Sequence, residues 1–247
     1  MFNEACWVQK IQFTQFIITL MTCLAIQPVF AVDQPPGDYV VILHGIARSS
    51  SHMDNLALHL ARQGYNVINP SYPSTSYKLE QLADIIYKEL VKQLGETKLI
   101  HFVGYSMGAL LVRIIIHKYR FPHLGRVVQL APPNHGSEVA DFFNQNWLYQ
   151  TIYGPAGQQL ITDQSDIQHL FGPINYQLGI IAGNSTIDPI SSFIIPSDDD
   201  GKVSVQRTQL TGVQAHIVVP ASHTFFPSHK IVQLQTAFFL KFGVFQE

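Results

Sequence analysis

A serine lies in the pattern Gly104-Tyr-Ser-Met-Gly108, and its surroundings decide what chemistry it can do. An apolar run typical of a strand precedes the pattern, and residues 109–119, which have helical character, follow it. A serine in a sharp strand-to-helix turn holds its hydroxyl outside the sheet, where a substrate carbonyl can reach it. Glycines fit both flanking positions because strand and helix pack too closely there for larger side chains. The pattern therefore makes Ser106 a candidate nucleophile.

A serine hydroxyl is a weak nucleophile until a base removes its proton, and the base needs an acid to orient it. In a fold of this type both partners follow the serine, the acid first and the histidine second. His223 comes directly after the last predicted strand and is the candidate base. His229 is the fallback, and His216 lies inside that strand.

The candidate acid lies in the run Asp198-Asp-Asp-Gly201. Three adjacent carboxylates cannot all pair with one imidazole. Asp200 is preferred because Gly201 allows a sharp turn that aims this carboxylate inward. Asp198 and Asp199 are interpreted as a solvated turn, and Asp188 is a weaker candidate. A calcium site in this cluster is an alternative, although no regular ligand spacing is visible.

Acyl transfer also needs hydrogen-bond donors for the negative charge that forms on the carbonyl oxygen. The backbone N–H of Met107 is one candidate, since it begins a predicted helix whose dipole favours negative charge. The second is the N–H of Ile46, in the loop Leu43-His-Gly-Ile-Ala-Arg-Ser49, where Gly45 lets the backbone approach. The residues expected to contact the substrate flank these donors and the serine: His44, Gly45 and Tyr105.

The elements that must position these groups alternate along the chain. Strands are predicted at 39–43, 65–68, 98–103, 126–130, 177–182 and 215–219, and helices at 52–63, 78–94, 106–119 and 228–242. Such alternation predicts an α/β fold with a parallel sheet covered on both faces. Between 137 and 176 the alternation lapses into an aromatic-rich segment. This segment is interpreted as a small cap or insert over the pocket, with ordinary core packing of its aromatics as the alternative.

Composition excludes several function classes. The chain has 247 residues, of which 47% are hydrophobic and 13% charged, and its net charge is −2. No basic or acidic block points to nucleic acid or to electrostatic membrane docking. The eleven histidines are scattered without metal-ligand spacing, so no metal site is expected.

The first 31 residues, in which Lys10 precedes the apolar stretch 11–31, are typical of a secretory signal peptide, with Val29 and Ala31 at the −3 and −1 positions of a cleavage site. Export to the periplasm or medium is therefore expected. An uncleaved membrane anchor and lipid attachment at Cys23 are the alternatives. Both cysteines lie in this stretch, so the predicted domain, residues 32–247, has neither disulfide nor thiol.

Together these motifs resemble the α/β-hydrolase superfamily, and within it the small bacterial serine lipases and esterases. The segments that carry the resemblance are 44–46, 104–108, 131–137, 199–203 and 222–224. It implies a minimal α/β-hydrolase fold of about six mostly parallel strands. It also implies that Ser106 is the nucleophile, Asp200 the acid and His223 the base, with the Ile46 and Met107 N–H groups as the oxyanion hole. The segment 131–137 is expected to shape the wall of the site.

The activity that this resemblance implies is hydrolysis of a carboxylic ester of a lipid or other apolar acyl compound, through an acyl-enzyme. No metal or organic cofactor is required. Thioester hydrolysis, amide hydrolysis and acyl transfer to another alcohol would use the same site. A non-catalytic member of the fold that binds a ligand or protein partner is the alternative of another class. Transient contact with a membrane or lipid surface and the oligomeric state both stay open.

Overall fold

The sheet has six strands: β1 (Tyr39–Leu43), β2 (Asn66–Ile68), β3 (Ile100–Tyr105), β4 (Leu124–Leu130), β5 (Leu178–Gly183) and β6 (Ala215–Val219). In the computed structural model, which describes residues 37–94 and 98–247, they lie in the order β2-β1-β3-β4-β5-β6. Every neighbouring pair is parallel. The predicted six-stranded α/β fold is therefore confirmed. Because the carboxyl ends of parallel strands meet at one edge, the loops that follow the strands gather there.

The helices of the described residues are α1 (Asp54–Arg62), α2 (Leu79–Leu90), α3 (Met107–Tyr119), α4 (Glu138–Phe143), α5 (Trp147–Gln158), α6 (Pro189–Ile194), α7 (Val205–Thr208) and α8 (Lys230–Phe242). Short 3-10 helices cover Ser50–Met53, Gln168–Leu170 and His223–Ser228. The helix predicted over 78–94 ends at Leu90, after which the N–H groups of residues 91–94 bond in turns to carbonyls of the last helical turn.

Strand β1 shows why the sheet is covered on both faces. Val40 and Ile42 pack in the core cluster that contains the buried side chains of α1 and α8. Val41 and Leu43 point the other way, into the cluster formed by α2 and α3. All four side chains are fully buried. Burial of a valine, leucine or isoleucine side chain contributes about 1.5–3 kcal/mol, so both faces of β1 stabilise the fold.

Helix α3, which follows the serine, is buried from Met107 to Ile116. A helix that is apolar on all sides belongs inside a domain, which agrees with its sequence. One of its buried residues is an arginine, Arg113. The helix therefore places one charged group within the core.

The predicted cap segment, 137–176, contains α4 and α5. Helix α5 has a kink at Gly154, where φ is 58° and ψ is −158°, immediately before Pro155. The side chain of Asn146 begins this helix by accepting a hydrogen bond from the N–H of Leu148 at 2.8 Å.

The loop between β5 and β6 contains two short helices that the sequence analysis did not predict. Helix α6 begins after Asp188, whose carboxylate accepts the N–H of Ser191 at 3.1 Å. Asp188 also forms an ion pair with Lys202 at 2.7 Å. The weaker acid candidate thus caps a helix. An aspartate followed by proline at the first helical position is the signal that indicates this start.

The predicted signal peptide, residues 1–31, and with it Cys23, lies outside the described residues. Within residues 37–94 and 98–247, no helix combines the length and the apolar character needed to cross a bilayer.

Candidate active site

Ser106 occupies the turn between β3 and α3. Its backbone has φ 54° and ψ −124°, a conformation that non-glycine residues rarely adopt and that lifts the hydroxyl out of the sheet. A Cβ on Gly108 would lie 2.3 Å from the carbonyl oxygen of Leu43. The close approach of α3 to β1 therefore requires glycine there, as the motif predicts.

His223 begins the 3-10 helix that follows β6. Its Nε2 lies 3.0 Å from the Oγ of Ser106, and its Nδ1 lies 2.7 Å from the Oδ2 of Asp200. The structure thus brings together the three residues that the sequence analysis selected. The imidazole lies between hydroxyl and carboxylate, the arrangement in which it can accept a proton from serine.

Asp200 is held in place from several directions and is 2% exposed. Its Oδ1 accepts hydrogen bonds from the backbone N–H groups of Lys202 at 3.0 Å and Val203 at 2.9 Å. Its carbonyl oxygen accepts the backbone N–H of His223 at 2.8 Å. The other carboxylate oxygen stays directed at the imidazole. Acid and base are therefore connected through main chain as well as side chains.

The neighbouring aspartates have different roles, and the interpretation of both as a solvated turn is wrong for Asp199. Asp199 is buried, and its Oδ1 accepts the hydroxyl of Ser192 at 2.7 Å and the N–H of Gly201 at 2.6 Å. It shapes the loop that presents Asp200. Asp198 is exposed, as predicted. Within the described residues, no three His, Cys, Asp or Glu side chains form a group that could hold a metal ion.

The other histidine candidates lie elsewhere. The Nε2 of His216, within β6, lies 2.8 Å from the hydroxyl of Thr208. His229 precedes α8, and its Nδ1 is buried without a partner among the described residues. Neither histidine contacts Ser106.

The candidate oxyanion loop runs beside the serine. Leu43 is paired with Gly104 in the sheet, so the residues after β1 pass alongside Ser106. A Cβ on Gly45 would lie 3.2 Å from the Cβ of Ser106. Among the described residues, the backbone N–H groups of Ile46 and Met107 have no acceptor. Ile46 also lines the pocket, whereas Met107 is fully buried directly after Ser106.

His44 does not contribute to the pocket wall, which corrects its predicted contact with substrate. Its side chain is fully buried and stacks on the ring of Tyr72, with 3.8 Å between centroids. Its Nδ1 lies 2.8 Å from the carbonyl oxygen of Gly45, and its Nε2 accepts the N–H of Tyr72 at 3.3 Å. Because both ring nitrogens are occupied, His44 supports the loop from behind. Gly45 and Tyr105 do line the pocket.

A pocket of about 330 Å³ opens at Ser106, and its lining is mainly apolar. Side chains of the cap segment form much of this wall: Val139, Ala140, Phe143, Leu148, Tyr149, Ile152, Tyr153 and Leu160. Pro133 and Ser137, from the segment expected to shape the wall, also line it. Two cationic residues that the sequence analysis did not single out, Arg48 and Lys202, complete the lining. Arg48 could be suspected from its position two residues after Ile46.

Comparison with known proteins agrees with the observed fold. A family model described as the alpha/beta hydrolase fold matches residues 38–178, which is more than half of the chain. The chain belongs to the α/β-hydrolase family. The matched segment includes Ser106 and Ile46 and ends before Asp200 and His223.

Solved structures of bacterial lipolytic enzymes are similar to this α/β-hydrolase. The mature lipase BlEst2 of Bacillus licheniformis aligns with a TM-score of 0.65 at 20% identity, over 85% of this chain and 94% of that one. A metagenomic carboxyl esterase, MGS0156, gives 0.64 at 20% identity, over 77% of this chain and 65% of that one. The phospholipase PlaB of Legionella pneumophila aligns with a TM-score of 0.67 at 16% identity, over 78% of this chain and 56% of that one. At these identities the likeness establishes the fold. No curated protein matches the chain significantly.

Proposed function

We propose that this α/β-hydrolase is a serine esterase that cleaves carboxylic esters of apolar acyl compounds. The observation that carries the proposal is the continuous contact from the Ser106 hydroxyl through the His223 imidazole to the buried Asp200 carboxylate. The apolar pocket beside the serine suits an acyl chain.

In the proposed reaction the Oγ of Ser106 attacks the ester carbonyl while its proton passes to the Nε2 of His223. Asp200 stabilises the imidazolium that forms. The carbonyl oxygen becomes negative and accepts hydrogen bonds from the N–H groups of Ile46 and Met107. His223 then donates the proton to the departing alcohol, which leaves an acyl group on Ser106. Water, deprotonated by His223, attacks the acyl carbonyl, and His223 returns that proton to the Oγ of Ser106 as the carboxylic acid leaves.

The substitution Ser106→Ala tests this function. We expect the variant to fold normally and to lose both hydrolysis of p-nitrophenyl acyl esters and labelling by a fluorophosphonate. Ser51→Ala is the matched control, because Ser51 is exposed and lies outside the pocket lining. Retention of both properties by Ser106→Ala would show that another residue is the nucleophile.

The physiological substrate class is proposed to be a lipid or a similar apolar ester. Exposed apolar side chains lie on the cap and on α6 beside it: Phe142, Trp147, Leu148, Ile152, Ile190 and Phe193. We call this set the apolar rim. Leu148 and Ile152 belong to the rim and to the pocket wall at once, so the rim continues into the pocket. A rim of this kind suits transient contact with a lipid surface from which substrate enters.

Export of the chain is proposed from the signal-peptide pattern that ends at Ala31. Fractionation of cells that express the full chain tests it. Soluble protein outside the cytoplasm, shortened by the length of the predicted signal, supports cleavage. Full-length protein in the membrane fraction supports the anchor.

A further inference from the structure

A second cavity, of about 380 Å³, lies along the C-terminal half of α3 and against residues 172–176. It is distinct from the candidate active site. Ser106 precedes the first turn of α3, whereas Arg120 follows the last. At 1.5 Å per helical residue these ends are about 20 Å apart. The residues lining this cavity include three potential cations and no carboxylate.

The first of these cations, Arg113, is 6% exposed and contacts few acceptors. Its Nη1 donates to the Oδ1 of Asn134 at 3.2 Å, and its guanidinium carbon lies 4.3 Å from the ring centroid of Phe171. Its Nε is buried without a partner, and no carboxylate among the described residues pairs with it. A buried charge with so little compensation is costly unless an anion completes it.

His117 lies four positions beyond Arg113, so both are on the same face of α3, and Arg120, directly after the helix, lines the same cavity. Residue 172 packs directly against the imidazole of His117, since a Cβ on Gly172 would lie 2.1 Å from its Nδ1. The backbone of Arg120 has φ 45° and ψ 110°, a conformation that favours glycine. Backbone strain is often retained where a side chain has a function, and the side chain of Arg120 lines this cavity.

The helix dipole explains only part of this arrangement. The unpaired carbonyl groups at the C-terminal end of a helix favour cations, which accounts for His117 and Arg120. It does not account for Arg113, which lies almost two turns earlier and is buried. The incomplete coordination of Arg113 therefore points to a ligand.

We propose that this cavity binds the phosphate group of a small organic phosphate monoester. Two guanidinium groups and an imidazole suit an anion of nearly two charges better than a single carboxylate. Asn175 and Tyr176, in the same lining, add neutral donors. A cavity of about 380 Å³ also leaves room for the organic part of the molecule.

The test measures binding of glycerol 3-phosphate and of inorganic phosphate to the full protein by calorimetry and by the shift in Tm. We expect glycerol 3-phosphate to bind more tightly and to raise Tm in a saturable way. Sodium chloride at matched ionic strength should give no such shift. Each of the substitutions His117→Gln and Arg120→Gly should raise Kd at least about tenfold, as expected for the loss of one charge-assisted contact.

Arg120→Gly separates binding from folding, because glycine relieves the backbone strain at that position. Its Tm without phosphate should equal or exceed that of the unsubstituted protein. Lys118→Gln removes a neighbouring cation that pairs with Asp84 and does not line the cavity, so its Kd should be unchanged. The proposal is overturned if Arg120→Gly and His117→Gln bind glycerol 3-phosphate with unaltered Kd. It is also overturned if sodium chloride shifts Tm as much as glycerol 3-phosphate does. Equal affinity for glycerol 3-phosphate and inorganic phosphate would overturn the assignment to a phosphate monoester and show that the site binds free phosphate.

Discussion

The phenol of Tyr105 donates a hydrogen bond of 2.6 Å to the backbone carbonyl of His223. The residue directly before the candidate nucleophile therefore holds the loop that carries the candidate base. Burial raises the pKa of Tyr105 well above its usual range, so the phenol remains a donor. This contact ties the end of β3 to the turn after β6.

Tyr105→Phe keeps the ring and removes this contact. Because the loop of His223 loses an anchor, we expect kcat to fall by roughly 5- to 50-fold with little change in KM. Kinetics on a soluble ester measure the effect. Tyr87→Phe is the matched control, since Tyr87 stacks on Tyr119 far from the pocket. If Tyr105→Phe has the same kcat as Tyr87→Phe, the phenol of Tyr105 does not position His223.

Substitution of each of the three adjacent aspartates should have a different effect on kcat and on the free energy of unfolding. Asp200→Asn should lower kcat by about 10³–10⁴-fold, because the amide cannot stabilise the imidazolium. Asp199→Asn should leave kcat within a few-fold and lower the free energy of unfolding by about 1–3 kcal/mol, since it disturbs buried hydrogen bonds. Asp198→Asn should change neither quantity. Urea unfolding and ester kinetics on all three variants check this order, and a larger kcat loss in Asp199→Asn would contradict it.

Gly108→Ala tests the packing of α3 on β1. The new Cβ would meet the carbonyl oxygens of Leu43 and His44 at 2.3 and 2.5 Å, where backbone atoms must move. We expect a loss of at least about 3 kcal/mol in unfolding free energy, or no folded protein. Gly64→Ala is the comparison, because Gly64 has a φ of 93° but no atom within 4 Å of the added Cβ. It should cost only about 1 kcal/mol, and similar losses in the two variants would count against the close contact.

Stability should decrease in mild acid through His52. Its pKa is lowered to about 4, first because burial disfavours the charged ring and then because Arg48, His223 and His44 repel it. The unfolded value is about 6.5, so the unfolded chain binds more protons between these two pH values. The contribution of neutral His52 is therefore complete above pH 6.5 and is lost as pH falls towards 4.

His52→Gln removes this titration, so its Tm should decline less than that of the unsubstituted protein between pH 7 and 4.5. His135→Gln serves as the control because His135 is exposed. Thermal unfolding followed by circular dichroism at several pH values gives the slopes. Parallel slopes for all three proteins would exclude His52 as a source of acid sensitivity.

Phe193 belongs to the part of the apolar rim that does not line the pocket, so it should matter only when the substrate is aggregated. Phe193 is 93% exposed, and Phe193→Ser removes the most accessible ring of the rim. We expect vesicle binding and hydrolysis of emulsified esters to fall about tenfold, while hydrolysis of a dissolved short ester is unchanged. Leu58→Ser, at an exposed apolar residue of α1, should behave like the unsubstituted protein. Equal loss on dissolved ester would place Phe193 in folding or chemistry instead.

The strands themselves and the positions of Ser106 and His223 at strand ends were predictable because they depend on local patterns. Alternating apolar runs identify the strands, and the two glycines identify the turn. Asp200 could be selected since Gly201 follows it, and that glycine does adopt a φ of 97°.

Features that depend on contacts between distant segments were not predictable. The burial of Asp199 depends on Ser192, and the enclosure of His44 depends on Tyr72, which lies 28 residues away. Arg113 is of a residue type that is mostly exposed, yet it is buried and its guanidinium lies over the ring of Phe171. Such pairings follow from tertiary packing, which composition and periodicity do not encode.

The distribution of the candidate site along the chain has a consequence for synthesis. Ser106 and the loop of Ile46 follow β3 and β1, whereas His223 follows β6 and is the last of the three residues to be translated. A growing chain that stops before β6 has the serine in place and no imidazole to activate it. The proposed activity can therefore begin only once β6 and the turn after it have been made and β6 has joined the sheet. A translation product that ends before β6 would therefore be inactive towards the proposed ester substrate.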